Sequence, residues 1–194
     1  MQTHSHFLMT AALNRVLQHR QVIVHRNTFL LGAVLPDVPF WLLTAWGEIY
    51  YTWFARTPTG ESPMVYLHLY LYFNDPLWII SHNLFHAPFI LLALGVVGWL
   101  GIQNSQRWGT YLLWFVLGAT LHSLIDIATH HNDGPLLFFP FDWTYRFPSP
   151  ISYWDPAYYG AIFMPLELLL DGWLVIYLLA PRWRRWLNQK QAHR

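Results

Sequence analysis

The chain has 194 residues, of which 55% are hydrophobic, 19% aromatic and only 11% charged. Soluble domains carry roughly a quarter of charged residues, so this chain lacks the polar side chains that would cover a water-exposed surface. The absence of cysteine excludes disulfides and thiolate chemistry. The formal net charge of +1 says little about function, and we expect no nucleic-acid partner. With 12 Trp and 11 Tyr, the composition predicts an integral membrane protein with aromatic residues at its interfaces.

Apolar periodicity predicts an all-α fold, an integral membrane helical bundle with about four transmembrane spans and short amphipathic helices. Residues 5–20 have the spacing of an amphipathic or half-inserted helix. Pro36 and Pro39 should kink the first span, and a loop with an interfacial helix follows it. We expect a single membrane domain with spans near residues 28–46, 77–100, 109–128 and 158–180, a loop at 129–157 and a basic tail at 181–194.

The distribution of basic residues predicts the topology of these four spans. Nine basic residues lie in the N-terminal segment, the turn near 101–108 and the tail, whereas the opposite side has only Arg56 and Arg146. The positive-inside rule therefore predicts that both termini are cytoplasmic, in the cell inner membrane or an internal membrane. In this topology the polar residues of the second and third spans lie at the same level, near the outer end.

A polar stripe interrupts the third span. His122, Asp126 and His130 follow one another at four-residue steps, so a helix places their side chains on one face. Ionisable side chains inside an apolar helix are unfavourable unless something pairs with them. A bound metal ion would pair with all three residues, and the alternative is a polar contact between helices.

Two further groups present the same choice between metal binding and a structural role. His82 and His86 form an HxxxH pair, a spacing with which two imidazoles on one helix face can chelate one ion. The alternative is a pair of packing histidines. Asp37 lies in an apolar segment that Pro36 breaks, where it could bridge two metal ions or cap the following helix. Its isolation among apolar residues favours the metal role.

Other ionisable residues have weaker patterns. His4 and His6 lie near the N-terminus, and their position alone does not support a site. Glu167 and Asp171 are four residues apart on the fourth predicted span. They either orient imidazoles through hydrogen bonds or pair with Arg or Tyr side chains inside the bundle.

In their order along the chain, these motifs resemble the YdjM-like family of membrane-bound, metal-dependent hydrolases, whose pattern is similar to that of zinc-dependent phospholipase C. The residues that carry the resemblance are Ser5-His6, Gly32 to Asp37, Ser81 to His86 and Leu117 to Asp126, followed by a loop from Gly134 to Pro148. The chain departs from the family pattern at two places. Pro39 stands where the family often has a second Asp, and Asn83-Leu84 replaces an Arg-Gly pair whose Arg would bind phosphate.

The resemblance implies a multi-helix bundle whose ligands converge on a hydrolytic site with one or two divalent ions. The imidazole and carboxylate set favours zinc. The implied metal ligands are His6, Asp37, His82, His86, His122 and Asp126. Asp37 or Asp126 would bridge two ions. The expected catalytic residues are Asp126, His130 and Asp133, with His130 or Asp133 as the general base or acid.

We therefore expect a membrane-bound, metal-dependent hydrolase that acts on a phosphoester or another ester, with a lipid-like substrate because the site lies at the membrane interface. The alternative is a non-catalytic structural or assembly subunit of a larger complex, such as a pigment-bearing one. The aromatic-rich loops near 138–143 and 150–154 suit contacts with protein partners. Membrane lipids are expected partners in both cases. A transporter fits less well, because four spans without an internal repeat offer little for alternating access.

Overall fold

The computed structural model describes residues 1–192, with side chains at 1–181, 183 and 189, so most of the predicted basic tail at 181–194 lies outside the described side chains. The described residues form helices and loops, with one isolated β-bridge between Leu136 and Arg146 and no strand. The predicted all-α membrane fold is confirmed. In chain order the helical elements are α1 (Thr3–His19), α2 (Arg26–Gly32), α3 (Val38–Trp53), α4 (Pro63–Val65), a π-helical segment (Tyr66–Leu71), α5 (Tyr72–Asn74), α6 (Pro76–Asn83), α7 (Pro88–Gln103), α8 (Arg107–Thr129), a 3-10 turn (Pro156–Tyr158) and α9 (Gly160–Ala192).

Two described helices are long and apolar enough to cross a membrane, namely α8 and the Gly160–Pro181 part of α9. The pair α6 and α7, bent by 50° at the break between them, would form a third span. The described residues therefore offer two or three spans, fewer than the four expected from the sequence. The segment at 28–46 is not among them, because a turn at 33–37 divides it between α2 and α3. Pro36 lies in that turn, and a proline cannot donate the amide hydrogen that a continuing helix needs.

Helix α1 lies along α9 and runs in the same direction. The Gln2 amide donates to Glu167 Oε1 at 2.7 Å, and further along both helices the Arg15 guanidinium lies 4.4 Å from the Tyr177 ring centroid. The first turns of α1 also lie beside the C-terminal end of α8, because the ring of His6 stacks on that of His122. At about 1.5 Å per residue, the 17 residues of α1 extend roughly 25 Å from this level.

Two glycines allow α2 and α8 to cross at backbone contact. A Cβ added to Gly118 would overlap the carbonyl oxygen of Phe29, and a Cβ added to Gly32 would overlap a carbonyl oxygen of α8. Small residues let membrane helices approach this closely, and the resulting packing drives their association within lipid. The approach also positions a polar group, because the carbonyl oxygen of Ala33 lies 2.8 Å from His122 Nδ1.

The loop after α8 folds back over the end of that helix. Ser149 Oγ donates to the carbonyl oxygen of Ala128 at 2.5 Å, and a loop amide donates to the carbonyl oxygen of Thr129. The last carbonyl groups of a helix have no partner within it, so these bonds fasten the loop to α8. The buried Asn83 side chain fastens the other part of the loop, because its Oδ1 accepts from the Leu136 amide at 2.7 Å.

We expect Gly118→Ala to destabilise the fold by roughly 1–3 kcal/mol, because the new methyl group must push α2 away from α8. Thermal unfolding of the purified protein in detergent measures the change. Gly172→Ala on α9 is the matched control, since a Cβ there meets no atom within 4 Å. The control should lose no stability and should gain up to about 1 kcal/mol from helix propensity. Equal stability of Gly118→Ala and the unaltered chain would contradict the close helix contact.

Candidate metal centre

Two turns and one helix bring the polar residues to one place. Asp37 lies in the turn between α2 and α3, and His86 lies in the turn between α6 and α7. Pro88 is the first residue of α7, and the residue before a proline is disfavoured in the helical conformation, so α6 and α7 cannot form one continuous helix. His122 and Asp126 lie one turn apart on α8, near its C-terminal end.

The candidate metal centre consists of Asp37, His86, His122 and Asp126, whose ligand atoms all lie within 4.8 Å of one another. The Nε2 atoms of the two histidines are 3.1 Å apart. Asp126 Oδ2 lies 3.0 Å from His122 Nε2 and 3.5 Å from His86 Nε2. Asp37 Oδ1 lies 3.3 Å from His86 Nε2 and 3.5 Å from His122 Nε2. A tetrahedral zinc site with bonds of about 2.0–2.1 Å has ligand atoms about 3.3–3.4 Å apart, so these distances fit such an ion.

Two backbone carbonyl groups determine which nitrogen of each imidazole faces the centre. His86 Nδ1 lies 2.5 Å from the carbonyl oxygen of His82, and His122 Nδ1 lies 2.8 Å from that of Ala33. A carbonyl oxygen only accepts hydrogen bonds, so each Nδ1 carries the hydrogen and each Nε2 presents a lone pair. Two lone pairs and two carboxylate oxygens thus face one another, and no other described residue donates a hydrogen bond to these four atoms. The donor set therefore fits a divalent cation.

The centre is enclosed by protein on most sides. The side chains of His86 and His122 are fully buried, and Asp126 is only 4% exposed. Asp37 is the most open member, with a side chain that is 17% exposed. Carboxylates in such a place are unfavourable unless a cation compensates them. The edge beside Asp37 is where a small molecule could reach the centre.

His6 lies beside the centre and outside the group of four. Its Nε2 is 2.9 Å from Asp126 Oδ1, the carboxylate oxygen that does not face the two other imidazoles, and its ring lies 3.7 Å from that of His122. Thr3 Oγ1 donates to Asp37 Oδ2, again the oxygen outside the centre. The first turns of α1 therefore hold both carboxylates of the centre by hydrogen bonds. Such outer contacts orient ligands in metal sites.

The first turn of α1 is itself held in place by helix α9. Asp171 Oδ2 accepts from Ser5 Oγ at 2.8 Å and lies 3.0 Å from His4 Nε2, while Glu167 accepts from the Gln2 amide. Of the two alternatives open for these carboxylates, the structure favours orientation of an imidazole at Asp171. That imidazole belongs to His4, which is not one of the four residues of the centre. The two carboxylates therefore act on the centre only through the position of α1.

His82 also lies outside the group of four. Its ring stacks on that of His86 with centroids 4.5 Å apart, and both of its ring nitrogens are 3.3 Å from Tyr72 Oη. The HxxxH spacing predicts two imidazoles on one helix face, but α6 ends at Asn83 and His86 belongs to the following turn. The His82 ring therefore stacks on the side of His86 that faces away from His122 and does not join the centre.

The two other predicted catalytic residues lie at the edge of the centre, in the segment where α8 ends. His130 Nδ1 donates to the carbonyl oxygen of Asp126 at 3.0 Å and lies 3.6 Å from Asp126 Oδ1. Burial lowers the pKa of the His130 imidazole below its ordinary value. The Asp133 carboxylate accepts from Trp154 Nε1 at 2.7 Å, and its backbone carbonyl accepts from Tyr72 Oη at 2.5 Å. The loop thus fixes Asp133 by both its side chain and its main chain.

The sequence did not indicate several polar groups that hold the ligands from outside. Ser123 Oγ donates to the carbonyl oxygen of His86, and the Thr3 hydroxyl holds Asp37. Each of these hydroxyl residues lies within three positions of a predicted histidine, which is a weak signal that could have singled them out. The carbonyl of Ala33 carries no side-chain signal, because only the packing of α2 on α8 brings it to His122.

A comparison with models of protein families identifies the family of this chain. The model described as YdjM inner membrane protein matches residues 1–190. The chain belongs to the YdjM inner membrane protein family. The predicted resemblance to a YdjM-like family is thus confirmed, and the apolar helices of this YdjM family protein agree with a place in the inner membrane. Comparisons with curated proteins and with solved structures each gave no match.

We expect Asp126→Asn to remove stoichiometric metal from the purified YdjM family protein, because the charged oxygen next to both imidazoles is lost. Mass spectrometry of the metal content measures this. His19→Ala, at the exposed C-terminal end of α1, is the control and should retain the metal. Unchanged metal content in Asp126→Asn would mean that the centre is assigned wrongly.

We expect His6→Ala to weaken metal binding roughly 10- to 100-fold, because it removes a hydrogen bond to a ligand and not a ligand of the group of four. Competition with a chelator of known affinity measures the change, again with His19→Ala as the control. The number of ions bound at saturation should stay the same. A fall by one ion would instead identify His6 as a ligand of a second ion.

Proposed function

We propose that this YdjM family protein is a membrane-bound hydrolase of ester or phosphoester bonds that depends on a divalent metal ion. The observation that carries the proposal is the convergence of four ligand atoms from Asp37, His86, His122 and Asp126 with no other hydrogen-bond donor to them. A divalent ion, with zinc favoured by the donor set, would supply Lewis acidity that polarises an ester oxygen and lowers the pKa of water.

His130 is the residue that we propose moves a proton at the edge of the centre. Because its Nδ1 donates to the carbonyl oxygen of Asp126, its Nε2 carries a lone pair and can accept a proton. Asp133 is a less direct choice, because its carboxylate already accepts from Trp154. Asp126 contributes as a ligand, with one oxygen toward the imidazoles of the centre and the other toward His6.

We infer that the centre faces the non-cytoplasmic side of the membrane. The first turn of α1 lies against the centre, so this inference places the N-terminal residues on that side and departs from the cytoplasmic N-terminus expected from the sequence. It lies at the C-terminal end of α8, whereas Arg107 opens that helix and Arg20 follows the far end of α1. The positive-inside rule favours the cytoplasm for the arginine-bearing ends. A site at the outer interface suits a lipid-like substrate, whose ester groups lie at that level while its chains remain among the apolar helix surfaces.

The test is hydrolysis by protein in lipid nanodiscs, with p-nitrophenyl phosphate and p-nitrophenyl butyrate as the two ester probes. We expect zinc-loaded protein to hydrolyse at least one probe, a chelator to abolish the reaction and added zinc to restore it. Asp126→Asn should be inactive and His19→Ala fully active. Stoichiometric metal without hydrolysis of either probe would contradict the proposal and favour the structural-subunit alternative, for which the exposed Phe141 and Trp154 side chains offer contact surfaces.

A further inference from the structure

A half-buried guanidinium with no described carboxylate partner lies against Tyr72, whose hydroxyl contacts His82 next to the centre. Arg146, in the loop after α8, donates from Nη1 to the carbonyl oxygen of Gly134 and, at 3.2 Å, to Tyr72 Oη. Its Cζ lies 4.8 Å from the centroid of the Tyr72 ring. No described carboxylate forms an ion pair with it, although Asp133 belongs to the same loop. The Asp133 carboxylate accepts from Trp154 instead.

The contacts of Arg146 leave most of its donor groups unused. A guanidinium has five N–H donors, and here the bonds to described residues all come from Nη1. The Nε and Nη2 donors form the planar fork that matches two oxygens of a carboxylate or phosphate. The guanidinium is half-exposed, with its Cζ over the Tyr72 and Phe73 rings and no carboxylate partner among the described residues, so its unused donors are open to an anion from solvent.

Two side chains, Tyr72 and His82, connect Arg146 to the centre. Tyr72 Oη connects the guanidinium to the ring of His82 at 3.3 Å, and His82 stacks on His86 of the centre. Asn83 holds the loop by accepting a hydrogen bond from the Leu136 amide. Leu136 forms an isolated β-bridge with Arg146. Asn83 therefore positions the segment that carries the guanidinium.

We propose that Arg146 binds the phosphate group of the substrate, so that the enzyme acts on anionic phosphoesters in preference to neutral esters. The inference rests on the proposed function. Two carboxylates would offset the two charges of a divalent ion in the centre, so that little of its charge would remain to attract an anion. Arg146 supplies the positive charge on the side of Tyr72, and its fork orients two phosphate oxygens.

The first experiment measures binding of inorganic phosphate to zinc-loaded protein in detergent by phosphorus NMR. We expect Arg146→Gln to weaken phosphate binding roughly 10- to 100-fold, the size of effect of a lost charge-assisted hydrogen bond. Arg146→Lys keeps the charge without the fork and should lose less. The exposed Arg56→Gln is the matched control and should bind like the unaltered protein. Zinc content must be equal in all four proteins, and if Arg146→Gln fails to fold, Arg146→Lys alone decides the result.

The second experiment compares the two ester probes in phosphatidylcholine nanodiscs with and without phosphatidic acid. Arg146→Gln should lower kcat/KM for p-nitrophenyl phosphate and leave that for p-nitrophenyl butyrate nearly unchanged. Inhibition by phosphatidic acid that Arg146→Gln removes would assign the site to a lipid phosphate, and inhibition by inorganic phosphate alone would assign it to a soluble one.

The two proposals fail in different ways. Phosphate binding that depends on Arg146 in a protein without hydrolysis would overturn the hydrolase and keep the anion site. Hydrolysis with phosphate binding unchanged in both Arg146 variants, or with both probes affected equally, would overturn the role of Arg146.

Discussion

Two hydrogen bonds from imidazole Nδ1 atoms to backbone carbonyl groups determine the geometry of the centre. The carbonyl of His82 holds the His86 ring and that of Ala33 holds the His122 ring, so both Nε2 lone pairs face the centre. The first bond requires that α6 stop before His86, which Pro88 enforces. The second requires that α2 touch α8 through its glycine contact, because only then does the Ala33 carbonyl reach α8.

The amino-acid sequence was sufficient to predict the helical membrane fold and the core of the site, but not its boundaries. His122 and Asp126 follow from a four-residue step in an apolar helix, and Asp37 follows from its isolation beside Pro36. The same four-residue step relates His82 to His86. His82 nevertheless lies outside the four residues of the centre and stacks on His86, because α6 ends between the two histidines. The sequence predicts four spans, whereas two or three of the described helices are long and apolar enough to cross a membrane. Hydropathy does not distinguish a continuous helix from two helices joined by a turn.

Helix α1 explains how residues far apart in the sequence can share one site. His6 is remote from the four residues of the centre along the chain, and its pattern alone supports no function. The structure places it against Asp126 because α1 runs along α9, where Asp171 and Glu167 hold its first turn. Polar side chains inside a membrane bundle associate with one another since lipid offers them no partner. Spacing along the sequence predicts contacts within one helix, whereas the contacts of His6 and its neighbours join three helices, α1, α8 and α9.

Protons are a poor substitute for a metal ion in this centre. If both imidazoles were protonated, two N–H groups with their nitrogens 3.1 Å apart would repel each other in a place with little water. A divalent ion would balance both carboxylates and contact all four atoms, so the donor set suits a cation whether or not the protein is an enzyme. Hydrolysis requires in addition a route for substrate, and Asp37 is the most exposed of the four residues.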